Sequence, residues 1–374
     1  MGECMTDFVA VTSRAPLRLT PPLAEDHKVV TGYRAATGLV EAMDVAMLLG
    51  VPLLLTGEPG TGKTRAAYWL ANELGGPAPL RFDVKSGSTG RDLLYAFDEV
   101  ARFRDASGGR EARPLVSYLR FSALGEAILR AAGGTAVLTD LGETALTGDH
   151  FALRHALLDE AFGTARRHGE TVACAHWLLP DEPAFAEAAP AHRVVLIDEL
   201  DKAPRDTPND LLAEIDNMAF AIPELGVRVA ADPAFRPIVL LTSNSEKSLP
   251  EPFLRRCAYF DIPFPDAAEL ALIVSGAIRG LDGGAPLVRD AIRLFGTLHD
   301  HAEIRKKPGT AELLAWIEVL RHRAGIDPGT SLGEALARDP ARLDGLLGAL
   351  VKSPGDLVLA REALRAGFVG RDDL

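Results

Sequence analysis

The sequence predicts an α/β fold: five short, mostly parallel strands in one sheet, followed by a C-terminal region made only of helices. Three observations carry this. Apolar runs of strand length recur along the first two thirds of the chain, separated by segments of helical periodicity. The first run ends in a glycine-rich turn that opens a helix. Residues 266–374 show helical periodicity alone, broken at Gly283-Gly284, Pro308, Pro328 and Pro354.

Taken in order, residues 1–33 are proline-rich and irregular, and read as an N-terminal extension. From Arg34 to Leu49 the spacing of Leu39, Val40, Met43, Met47 and Leu48 predicts an amphipathic helix with these residues on one face. Val51–Thr56 is an apolar run closed by Gly57, a buried parallel strand. The helix that follows covers Arg65–Leu74 and stops at Gly75-Gly76. Further strands are predicted at Leu80–Val84, Val194–Ile197, Ile238–Thr242 and Ala258–Ile262. The change of character after Pro263 and Pro265 sets a domain boundary, giving a core over 34–265 and a helical domain over 266–374. The stretch between Thr64 and Val194 is far longer than the connection requires, so an insert of about 86–190 is expected, projecting from the core rather than filling it.

Composition narrows the function. Of 374 residues, 47% are hydrophobic and 25% charged, as in soluble globular proteins. Lys and Arg number 40 against 52 Asp and Glu, a net charge of −12. That acidity disfavours nucleic acid as the main ligand, because phosphate contacts dominate such binding. Cys4, Cys174 and Cys257 lie far apart with no CxxC spacing, which suits a reduced, cytoplasmic setting. His150, His155, His168, His176 and His192 fall in one stretch with Cys174, but without the tight spacing of a metal site. No basic segment followed by an apolar one marks a signal peptide. Met1–Thr6 formally fits a myristoylation pattern and is read as chance. The longest uncharged run, Val45–Gly57, falls short of the about 20 residues a membrane span needs.

The strongest chemical signal is Gly57-Glu58-Pro59-Gly60-Thr61-Gly62-Lys63-Thr64, a full GxxxxGK[ST] match between a strand and a helix, with Arg65 next in the helix. Glycines let such a loop turn its N–H groups inward onto phosphate oxygens, beside a helix N-terminus that favours anions. Lys63 is expected at the β- and γ-phosphates of ATP, and the Thr64 hydroxyl on Mg2+. The second signal is Val194–Glu199, an apolar strand ending in two carboxylates. Asp198 would hold Mg2+ and Glu199 would deprotonate the attacking water. Alone, such a pair could be two solvated turn residues; chain order after the glycine loop favours the catalytic role. The third is Ile238–Asn244, whose terminal Asn244 can either orient that water or cap a turn. The fourth is the pair Arg255-Arg256 just before the last strand, a surface charge run or a source of transition-state charge for a neighbouring subunit.

The ordered motifs GEPGTGKT, VVLIDELDKAP, LLTSN, LPEPFLRRC and KKPGTAELLAWIEVL make the chain resemble AAA+ ATPases, and more narrowly the MoxR group, from about Tyr33 to Leu320. The resemblance implies an αβα sandwich with strand order 5-1-4-3-2 and an all-α helical lid. It implies a homo-oligomeric ring, a hexamer, with ATP between subunits. It assigns Arg256 rather than Arg255 as the arginine finger. The family's lid sensor is usually an arginine beside a proline; here Arg305-Lys306-Lys307-Pro308 stands in that place and Lys307 adjoins the proline. MoxR-like proteins carry an insert in the second helix, which Ser86–Asp105 resembles, and a hairpin before the fourth strand, which Ala219–Ala231 resembles. Tyr95 and Phe97 in the first insert are either core residues or contacts at the ring centre. The segment 138–190 resembles nothing familiar. Gly32-Tyr33 would pass near the adenine.

The leading expectation is thus an ATPase that remodels or activates a partner protein in a chaperone-like way. The client, or a von Willebrand A-domain partner, would be a separate chain. A nucleotide-gated scaffold with little turnover and a DNA-directed ATPase are the rivals, and the intact Asp198-Glu199 pair and the acidic charge weigh against them.

Overall fold

The computed structural model describes residues 33–107, 113–163, 170–204, 214–244 and 249–368, together with a short antiparallel pairing of Phe8–Val9 with Pro16–Leu17. Cys4, Gly32, His168, the Met1–Thr6 pattern and most of the N-terminal extension lie outside the described residues. The chain divides into two compact units, one spanning Ala35–Phe264 and one made of Pro265–Leu374 together with Met1–Arg34.

The first unit is built on five strands: β1 (Leu53–Thr56), β2 (Leu80–Asp83), β3 (Val194–Asp198), β4 (Ile238–Thr242) and β5 (Ala258–Asp261). All pair in parallel, in the order β5-β1-β4-β3-β2. The expected order 5-1-4-3-2 is the observed one. Central strands are apolar on both faces because helices cover both; every residue of β1 and of β3 is buried. Polar residues appear only at the C-terminal tips, Thr56, Asp198 and Thr242, and the parallel register brings these tips to one edge.

Helix α1 (Leu39–Leu49) starts later than expected, after Gly38, and ends on Gly50. Its buried residues are Leu39, Met43 and Ala46, whereas Val40 is 40% and Leu48 86% exposed. The predicted face is therefore corrected: at 3.6 residues per turn the inward row is i, i+4, i+7, Val40 falls to one side of it and Leu48 on the opposite side of the helix. Helix α2 (Lys63–Glu73) begins inside the glycine loop and buries Ala66, Ala67, Leu70 and Ala71.

The insert departs from expectation. Its helix α3 (Ala123–Ala132) lies against β2 and β3, and Leu124, Ile128 and Leu129 share one continuous apolar core with Val195, Ile197, Val239 and Leu241. Residues 138–190 contribute Phe162, Trp177 and Phe185 to that same core. The segment fills the unit rather than projecting from it, because its apolar side chains need the sheet to be buried. Each buried phenylalanine contributes roughly 1.5–3 kcal/mol. Ala219–Ile222 and Val227–Ala230 form the hairpin expected before β4. Tyr95–Phe97 pairs with Leu119–Phe121, and Tyr95 is 2% exposed, packed on Phe220 with its hydroxyl donated to Glu224. Tyr95 is a core residue.

From Pro265 onward the second unit is helical, with Pro286–Asp300 and Thr310–His322 its longest described helices apart from Pro354–Phe368. Leu287, Phe295, Trp316, Ile317 and Leu364 form its interior. Among the described residues no helix is long and apolar enough to cross a membrane.

Candidate nucleotide site

The site is assembled at the strand tips. At the end of β1 the Thr56 hydroxyl lies 2.6 Å from Asp261 Oδ1 and 2.8 Å from the Tyr259 hydroxyl, which fixes β1 against β5 where the loop departs. Gly57 then turns with φ 133°, and a Cβ there would meet the Ile262 carbonyl at 2.5 Å, so no other residue fits. Gly60 and Gly62 also have positive φ, 87° and 93°. Glu58 and Pro59 are exposed at the loop crest, and the Thr61 hydroxyl donates to the Glu58 carbonyl at 2.9 Å.

The turn folds the loop around Lys63, which is only 7% exposed. Its ammonium donates to the Gly57 carbonyl at 2.8 Å and the Glu58 carbonyl at 3.0 Å. Burial pushes the Lys63 ammonium below the ordinary lysine value, opposed by the negative charges of Asp198, Asp201, Asp261 and Glu199. Thr64 and Arg65 follow in the first turn of α2, both half-buried.

Opposite the loop stands Asp198, 4% exposed at the tip of β3. Its carboxylate accepts from Thr64 Oγ1 at 3.1 and 3.2 Å, from Thr242 Oγ1 at 2.5 Å, and from Arg81 Nη2 at 3.0 Å. Glu199, next in the chain, has φ 60°, a strained conformation for a non-glycine residue. Such strain costs about 1–3 kcal/mol and persists only where the surroundings impose it. Here Thr242 imposes it, accepting the Glu199 N–H at 2.9 Å while donating to Asp198. The Glu199 carboxylate pairs with Lys202 at 2.5 Å. Asn244 donates its backbone N–H to the buried Asp201 at 3.1 Å.

Sequence reasoning thus located Lys63, Thr64 and Asp198, which the fold brings together, with Glu199 and Asn244 on the loops leaving β3 and β4. It missed Thr242, Asp201 and Arg81. Thr242 was legible as the one polar residue within β4, at its C-terminal end. Arg81 was not, because its role depends on which strand lies beside β3. Arg256 has a half-exposed side chain 3.8 Å from Asp216, and Arg255 pairs with Glu251. Lys307 is exposed in the second unit. Tyr33 is half-buried. Of the histidines, His150 pairs with Asp140 at 2.9 Å and His155 with Asp159 at 2.8 Å; among the described residues no group of three His, Cys, Asp or Glu side chains is placed to hold a metal.

The model of the AAA domain, dynein-related subfamily, matches residues 52–257, more than half of the chain. The chain belongs to this family. No curated protein matches it. As an AAA+ ATPase domain it is a nucleotide-binding, nucleotide-hydrolysing module of the Mg2+-dependent kind. The residues present fit that chemistry. The Thr64 hydroxyl and Asp198 carboxylate are hard oxygen donors 3.1 Å apart, suited to Mg2+. The glycine turn closes around a buried ammonium at the N-terminus of α2, suited to phosphate.

Proposed function

We propose that the chain is a MoxR-like AAA+ ATPase that couples ATP hydrolysis to remodelling or chaperone-like activation of a partner protein. The observation that carries this is the continuous polar chain Thr64–Asp198–Thr242–Glu199, in which Thr64 of the phosphate loop donates directly to Asp198 and a single hydroxyl of the neighbouring strand ties Asp198 to the Glu199 backbone.

Bound Mg-ATP supplies the γ-phosphoryl electrophile and the divalent charge that polarises it. Lys63 exchanges the Gly57 and Glu58 carbonyls for phosphate oxygens, with Gly57, Glu58, Pro59, Gly60, Thr61, Gly62 and Arg65 shaping the turn. Thr64 and Asp198 hold the metal. Glu199 takes the proton of the attacking water, a step worth about 10²–10⁴-fold when the base is positioned. The hydroxyl of Thr242 aims Glu199 through its backbone. Asn244, fixed by Asp201, orients the water. Arg256 is exposed, as a finger acting on a neighbouring copy must be, and a guanidinium supplies permanent, bidentate charge there. Lys307 is the lid sensor. AAA+ domains typically assemble as rings, and this reading takes a homo-hexamer in the cytoplasm, with the client or a von Willebrand A-domain partner on a separate chain.

The test is ATPase rate against protein concentration for wild type and Arg256→Ala. Rate per subunit rises with assembly in the wild type, and Arg256→Ala loses about 10³-fold or more while still binding nucleotide. Full activity of a monomer, independent of concentration, would reject the shared site.

A further inference from the structure

The ion pair between Arg81 and Asp198 joins the edge strand to the metal-holding carboxylate. β2 and β3 pair in parallel with Asp83 opposite Asp198 and Arg81 opposite Leu196. Arg81 and Asp83, two residues apart on one strand, project from the same face. The guanidinium therefore lies along the strand within reach of both carboxylates. Its Nε and Nη2 donate to Asp83 at 2.8 and 2.7 Å, and Nη2 also meets Asp198 Oδ2 at 3.0 Å. The three side chains differ sharply in exposure: Asp198 is 6%, Arg81 32% and Asp83 57% accessible.

These exposures define the roles. A carboxylate as buried as Asp198 needs a counter-charge, because desolvation of an unpaired anion is costly. Lys63 acts on it only through space, since its ammonium is bound by the loop carbonyls. Arg81 is the cation in contact with it. Yet a guanidinium and a divalent ion sharing one carboxylate repel each other at contact range. Asp83, exposed and already bonded to Arg81 through two nitrogens, is a second anion on which the guanidinium can rest.

We infer that Arg81 sets the Mg2+ requirement of nucleotide binding by competing with the metal for Asp198, and that Asp83 takes Arg81 over when the metal wins. The inference deepens the nucleotide-site reading and rests on it. It makes Arg81 a positioning residue with a regulatory consequence: the site accepts nucleotide fully only above a threshold of free Mg2+ that this strand pair determines.

The full chain would be titrated with MgCl2 at fixed mant-ADP, following nucleotide fluorescence, with a parallel mant-ADP titration in EDTA. Arg81→Gln lowers the half-saturating Mg2+ about three- to five-fold, the worth of a partly exposed ion pair. Asp83→Asn strands the guanidinium on Asp198 and raises the midpoint by a similar factor. Arg81→Lys keeps the charge and stays close to wild type. Lys85→Gln, which removes an exposed charge just past the same strand, moves the midpoint less than about two-fold because solvent and salt screen it. Affinity in EDTA is the same throughout, and circular dichroism confirms that each variant is folded. A Mg2+-dependent wild type whose midpoint is matched by Arg81→Gln and Asp83→Asn overturns this inference alone. So does a Lys85→Gln shift as large as that of Arg81→Gln. A wild type that binds mant-ADP equally with and without Mg2+ also overturns this inference alone, whereas one that binds no mant-ADP in either condition overturns the nucleotide-site reading with it.

Discussion

The glycine loop at Gly57–Thr64 and the basic loop at 305–308 each lead into a helix and each carry lysine, but the fold treats the two lysines in opposite ways. Lys63 is nearly buried, its ammonium held by two carbonyls of its own loop. Lys307 is exposed, and what is fixed in its loop is the backbone: the Arg305 and Lys306 N–H groups donate to Asp356 at 3.0 and 3.3 Å. Asp356 itself is 1% exposed, at the start of Pro354–Phe368. In the first loop the determinants lie within eight consecutive residues, so the motif specifies the position of its own side chain. In the second, a carboxylate some fifty residues away shapes the chain, and the motif specifies only that a cation is nearby. Local determination fixes the Lys63 ammonium itself, whereas remote determination fixes only the backbone leading to Lys307.

The contrast can be broken at three points. The largest effect is expected from Lys63→Ala, which removes a charge-assisted contact to phosphate and weakens ATP binding about 10- to 100-fold by calorimetry. Retained affinity would mean that the loop alone, without its ammonium, holds the nucleotide. The next is Asp356→Asn. Hydrogen bonds from the Arg305 backbone hold the Asp356 carboxyl below the ordinary aspartate value, aided by Ser353 and Lys306 and opposed by desolvation. A depressed folded value means the stabilisation is fully present above the unfolded value near pH 4 and is lost as pH falls through the lower folded value. Asp356→Asn should therefore lower the melting temperature by about 2–6 °C at neutral pH and flatten its fall in acid. An unchanged acid limb would show that the basic loop is held by something else. The smallest effect on ATP affinity is expected from Lys307→Ala, less than about three-fold as for a single exposed charge, with the loss of the proposed sensor read in a lower kcat instead. A loss as large as that of Lys63→Ala would erase the distinction between the two loops.

Much of the molecule was legible before any coordinate. Each core strand was marked by its own apolar run, and the glycine loop by its own residues. The insert was not, because Leu124, Ile128, Trp177 and Phe185 look the same whether they pack on the sheet or on one another. The face of α1 was blurred for a related reason: Val40 and Leu48 are apolar but lie off the buried row, Leu48 on the opposite side, and only the neighbour decides which apolar residues go inside.

By itself the sequence determined the AAA+ family and the α/β class with its helical C-terminal region, and it singled out Lys63, Thr64, Asp198 and Glu199 as the candidate site residues. Periodicity and contiguous motifs suffice where the interacting groups are neighbours in the chain. Only the tertiary structure decided that Thr242 bridges Asp198 and Glu199, that Asp201 fixes Asn244, and that Arg81 reaches across to Asp198. Those contacts exist because parallel pairing places the ends of strands far apart in sequence at one edge of the sheet, and a hydrogen bond or ion pair forms only between groups that the register brings within about 3 Å.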